Sequence, residues 1–206
     1  MKTLWLLAAL AATGGCGVAA EKPPRNPALA SETLVWAGLD FSKVRMIGAG
    51  AFNDPDAIFP HMLNSWNNLF LHERISHVEK ETNKRVVVDI GGVTEVNKTA
   101  TPTQVITSPG PDDVIDKSHL TTRDIAEAVK SYKLDSKSGL GVVFIADRFV
   151  RVNKAAEGAV YVVGFDVASR EVVFSQREVS KPSGIGFRNY WFRVIKNAEG
   201  ALRQCR

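Results

Sequence analysis

Apolar side chains recur along this chain in two rhythms, one helical and one extended. Met62, Leu63, Trp66, Leu69 and Phe70 form one stripe at three-to-four-residue spacing. That spacing predicts a helix to about Thr82, with Pro60 in its first turn, where a missing N–H costs nothing. Ile125, Ala128, Val129 and Tyr132 repeat the pattern after Thr121 or Thr122, either of which can cap a second helix. Phe187, Tyr190, Trp191, Val194, Ile195, Ala198 and Leu202 predict a third helix, with Arg188, Arg193, Lys196, Glu199 and Arg203 on its wet side. Phe192 falls off that stripe, which marks it as an exposed contact.

The extended rhythm appears at Lys43 to Ile47, at Arg85 to Ile90, and in three runs near the carboxyl end. Those runs are Gly141 to Val152, Ala159 to Val167 and Glu171 to Val179. Turns at Asn153–Gly158 and Ala168–Arg170 are short enough for hairpins, so they predict a three-stranded antiparallel meander. A long loop, marked by Pro102 and Pro109-Gly110-Pro111, runs from about Asn97 to Ser118. The expected order is strand, helix, strand, helix, meander and a C-terminal amphipathic helix. This is an α/β (or α+β) chain with a single domain over 34–206.

The amino-terminal pattern differs. Lys2 precedes an unbroken apolar run, Leu4 to Ala12, and small residues follow at Thr13, Gly14 and Gly15. This is the layout of a secretory signal over residues 1–20. Two cleavage positions compete. Val18-Ala19-Ala20 suits ordinary processing before Glu21, whereas Thr13-Gly14-Gly15-Cys16 resembles a bacterial lipobox, in which Cys16 becomes the lipid anchor. Residues 21–33 open with EKPPRNPALA and read as a Pro-rich tether. The expectation is an exported protein, periplasmic, either free or anchored as a membrane lipoprotein.

Composition removes several classes. The charge balance is 26 Lys+Arg against 22 Asp+Glu, a net +4 with no long basic run, which gives no basis for nucleic-acid binding. No apolar run reaches the roughly 20 residues needed to span a bilayer. Two cysteines cannot build a disulfide-dense scaffold or a multi-cysteine zinc site. With Cys16 lipidated or removed, Cys205 has no partner in the chain. It is then either an intermolecular disulfide or a free thiol on a terminus that constrains little.

Phe165-Asp166-Val167-Ala168-Ser169-Arg170-Glu171-Val172-Val173-Phe174-Ser175 resembles a hairpin of bacterial envelope domains, those of the TolB amino-terminal and CsgG-like lipoprotein type. The order of elements over most of 43–206 is similar as well. The resemblance implies an assembly or binding module and carries over no catalytic residue.

The candidate chemistry is sparse. Gly48-Ala49-Gly50-Ala51-Phe52-Asn53 begins like a dinucleotide fingerprint, but Asn53 replaces the third glycine and Pro55 blocks the helix that would hold a pyrophosphate. No cofactor is expected. His72 and His77 are five apart, which on a helix turns them about 140° away from each other, so they cannot share an ion. Asp112, Asp113, Asp116 and His119 cluster in the long loop, where oxygen ligands could hold a metal or serve a periplasmic hydrolase. Aspartates also initiate turns, and that reading accounts for the cluster without a metal. Phe192, Arg188 and Arg193 are the expected contact with an envelope protein partner. The sequence thus points to a binding or assembly module without catalysis. The alternative is a metal-dependent enzyme or hydrolase using 112–119.

Overall fold

A computed structural model describes residues 26–206, except the side chains of Pro60 and His61. Cys16, both cleavage positions and the start of the tether lie outside the described residues.

The chain is α/β, built on one seven-stranded mixed sheet. The strands are β1 (Thr33–Asp40), β2 (Arg45–Ile47), β3 (Arg85–Val88), β4 (Val105–Ile106), β5 (Leu140–Val152), β6 (Ala155–Asp166) and β7 (Val172–Ser180). Long β5 is the spine. Along one side it pairs first with β1 and then with β2, both parallel, and β3 and β4 extend those two outward, also parallel. Along its other side it pairs antiparallel with β6, which pairs antiparallel with β7.

The expected meander therefore needs correcting. Most pairings are parallel, and the last three strands form one flank of a larger sheet, with no separate antiparallel layer. The helix expected to follow Asp116–Ser118 is present as α5 (Thr122–Ser131). Thr121 caps it, and Asp124 returns a hydrogen bond to the Thr121 backbone. The Thr121 hydroxyl and N–H, with help from Lys43, hold the Asp124 carboxyl down at about 2.

Strand β1 has no counterpart in the sequence reading. Its run TLVWAGLD does not alternate because both faces are covered, the usual condition of a central parallel strand. Leu34 and Trp36 face one core with the long helix α2 (Leu63–Thr82) and α6 (Phe187–Ala198). Val35 and Ala37 face a second core with α5 and α3 (Gly91–Asn97). Two short helices complete the set. The first, α1 (Pro55–Ala57), leads through a π turn (Ile58–Met62) into α2. The second, α4 (Pro111–Val114), lies inside the segment expected to be a loop.

Two bulges set which residues point where. The β1–β5 register slips between Trp36 and Gly38, and the β5–β6 register slips between Ala146 and Arg148. Each slip flips the parity of the strand beyond it. Leu140, Val142, Phe144 and Ala146 face the α2/α6 core, and past the slip so does Phe149. Gly38 has φ +114°, and a Cβ there would sit 2.8 Å from Asn67 Oδ1, so the bulge in β1 requires glycine. Asn67 and Asn97 take up the displaced backbone. Asn67 accepts from Leu39 N–H at 2.7 Å and donates to Leu39 C=O at 3.0 Å. Asn97 accepts from Phe41 N–H at 2.7 Å and donates to the same carbonyl at 2.8 Å. These buried amides do what a neighbouring strand does elsewhere.

The described part of the expected tether is not extended. Pro27–Ala30 forms a 3-10 turn capped by Asn26, with Ala28 buried against the main core. The carboxyl end is tied down as well. After α6, Glu199–Cys205 continues as a 3-10 helix, and Arg74 grips Glu199 in a two-pronged pair at 2.6 and 2.5 Å. That pairing raises the Arg74 guanidinium further above its ordinary value. Cys205 is fully buried, so the expectation of a frayed terminus is corrected. Burial pushes its thiol up to about 12, with Lys84 pulling weakly the other way. In a Cys16→Ser chain, a disulfide-exchange reagent at pH 8 is expected to register no thiol until denaturant is added. Rapid reaction in the native state would overturn that burial.

Candidate functional site

The strand bulge in β5 places two charged residues inside an otherwise apolar run, LGVVFIADRFVRV. Asp147 is 0% exposed and Arg148 4%. In such a bulge both successive side chains turn to one side of the sheet, and here that side carries the 114–119 segment. Asp147 Oδ1 accepts from the Ser118 hydroxyl at 3.2 Å and lies 3.0 Å from His119 Nδ1, which is poorly aligned for a hydrogen bond. Its Oδ2 accepts from Arg177 Nε at 2.7 Å. Arg177 reaches across from β7 and extends a second prong to Asp116 at 2.8 Å. His119 Nε2 lies 2.7 Å from the Lys43 carbonyl.

Burial alone would raise the Asp147 carboxyl, but contacts with His119 and Arg177 outweigh it and hold the group below the ordinary aspartate range. The carboxylate therefore contributes stability that is complete above about pH 3.9, the unfolded value. The contribution is lost as pH falls through its lower folded value. Acid titration followed by circular dichroism is expected to show wild-type stability declining below pH 4, with a shallower decline in Asp147→Asn. Equal slopes would remove Asp147 from the account.

Arg148 is the less balanced partner. Its terminal nitrogens donate to the carbonyls of Ile115, Lys117 and Val114, and its nearest carboxylate, Glu157, is 3.9 Å away. Its buried Nε has no hydrogen-bond partner.

The four loop residues proposed for metal or hydrolysis separate. Asp112 is exposed, Asp113 accepts from Gly110 N–H at 2.9 Å, Asp116 is held by Arg177, and only His119 reaches Asp147. Among the described residues no three His, Cys, Asp or Glu side chains gather as a metal set. Ser118 bonds to Asp147 and to Leu120 C=O, so no serine–histidine couple forms. Asp147, Arg148 and Arg177 were absent from the sequence reading. The one available signal was the Asp-Arg pair interrupting a strand of apolar residues.

Phe192 is corrected. It is 3% exposed and packs edge-on to Phe70, because the α6 stripe is broad enough to seat it between α2 and the sheet. Arg188 and Arg193 are exposed, as expected for side chains on the outer face.

A second concavity lies where β5 ends and α6 begins. A cavity of about 390 Å³ has Val150, Val152, Ala155, Ala156 and Pro182 in its lining. Tyr190 separates it from a neighbour of about 340 Å³ beneath the Gly184-Ile185-Gly186 strap. Arg151 stacks over the Tyr190 ring at 5.3 Å.

No protein-family model matches this chain, and no curated protein is significantly similar to it.

Proposed function

We propose that the chain is an exported cell-envelope protein, attached to a membrane through Cys16, whose α/β body binds a protein partner and turns over no substrate. The observation that supports the binding half is that Asp147, Asp116 and His119 are held by structural partners. Both oxygens of Asp147 are engaged, His119 Nε2 lies against the Lys43 carbonyl, and Asp116 is held by Arg177. Together these contacts clamp the 114–119 segment to the sheet, which supports a structural use of these groups.

Support for export comes from the sequence: Lys2, the apolar run Leu4 to Ala12, and the Thr13–Cys16 stretch. The likeness to TolB-type and CsgG-like envelope domains belongs to the same proposal. Among the described residues no helix is long and apolar enough to cross a membrane. Expression in a bacterium with radiolabelled palmitate is the test. Label in the membrane fraction, lost in Cys16→Ser, is the expected result. A chain found in the cytosol with Met1 intact would sink the reading.

A further inference from the structure

We propose that the cavity beside Tyr190 receives an extended acidic peptide segment of the partner, apolar side chains down and carboxylates out. The inference rests on the binding-module reading and names the chemistry of its partner. The apolar lining is Val150 and Val152 from β5, Ala155 and Ala156 from β6, and Pro182 beyond β7. The walls are cationic. Arg148, Lys154 and Lys181 line the cavity against one acidic residue, Glu157, and Arg151 stands over Tyr190 at its margin.

Arg148 adds an argument independent of rim charge. It is a nearly buried guanidinium whose neighbours are neutral carbonyls and one carboxylate at 3.9 Å, with Nε unpartnered. Buried charge without a close counter-charge is costly, and a carboxylate in the cavity would supply one. The volume, about 390 Å³, lies within the range of ligand-binding clefts.

A peptide fits this arrangement better than a lipid surface does. Val150 and Pro182 are buried, where a bilayer would not reach them and alternate side chains of an extended segment would. Position in the fold agrees. β1 and β5 run parallel from a common start, where Leu34 pairs with Leu140, and the groove lies at the opposite end of β5. At the first end, Lys84 bonds the carbonyls of Leu29 and Ser31, and Arg206 bonds Glu81 C=O. Both ends of the described chain are therefore gathered away from the groove.

The test uses the full chain carrying Cys16→Ser, so that no lipid contributes. An array of decapeptides graded in Asp and Glu content, interspersed with Val or Leu, is probed first. The best binder is then followed by fluorescence anisotropy. Binding is expected to rise with acidic content and to weaken between 0.15 and 0.5 M salt. Lys154→Glu combined with Lys181→Glu, both exposed, should weaken it about tenfold. Lys80→Glu with Lys130→Glu, exposed elsewhere, should leave it unchanged.

Binding indifferent to acidic content, or lost equally in the control pair, overturns the proposal. Lys154- and Lys181-dependent capture by phosphatidylglycerol vesicles, with no peptide bound, overturns it in favour of a membrane. A cytosolic location for the chain would sink the envelope reading and leave this peptide result standing, so the two failures are distinguishable.

Discussion

Asp147→Ala is expected to lower the free energy of unfolding by about 3 kcal/mol, the lower end of what removing one partner from a buried ion pair costs. The reason is asymmetric. Arg177 would keep its position against the sheet while losing the carboxylate that balances it, and Ser118 would lose its acceptor. Arg177 retains Asp116, and it is partly exposed, which is why the lower end applies. Urea denaturation of the two chains measures the difference directly, and a loss under about 1 kcal/mol would mean the cluster is decoration. Local effects should accompany the global one. Amide exchange in 114–120 is expected to speed up more than exchange in α2, because the cluster clamps that segment and not the helix.

Trp36→Ala is expected to cost about 4 kcal/mol, typical of truncating a buried large aromatic. Trp36 lies on β1, between β3 and β5, stacks on Phe70 at 4.3 Å and meets Phe144 edge-on at 5.1 Å. It thereby joins β1, α2 and β5 through one side chain. The cavity left behind has rigid walls on two sides, so it cannot collapse far. The midpoint of urea unfolding reports the loss. If Trp36→Ala proved no worse than truncation of half-buried Leu69, the main core would have to be placed elsewhere.

What could be read from the sequence was set by how much water each element meets. Helices α5 and α6 were legible because each has one wet face, so Ile125, Ala128 and Val129, or Trp191, Val194 and Ile195, stand out against polar neighbours. The pairing β5–β6–β7 was legible because short turns leave hairpins as the simplest connection. Strand β1 was not, since burial on both faces erases alternation. Its omission hid the parallel half of the sheet, and with it the path by which residues 33–47 run alongside β5. Phe192 was misread because a stripe drawn at ideal spacing is narrower than the face that α6 buries between α2 and the sheet. The Asp147 cluster was out of reach for a different reason. Its members come from residues 116–119, 147 and 177, and a one-residue bulge decides which way Asp147 points. Gly48 shows the same limit. It looks like the start of a nucleotide loop, yet its φ of +118° and close packing on the Arg151 carbonyl make it a backbone crossing point.

The gathering of Asn26 and Arg206 at one end of β5 has a mechanical consequence. Cys16 lies ten residue steps from Asn26, a span of at most roughly 36 Å. With Cys16 in a bilayer, the whole height of the sheet is added to that span before the Tyr190 cleft is met. On the proposed reading the cleft would then meet its peptide well above the lipid headgroups, and shortening residues 17–25 would restrict its reach before it altered its affinity.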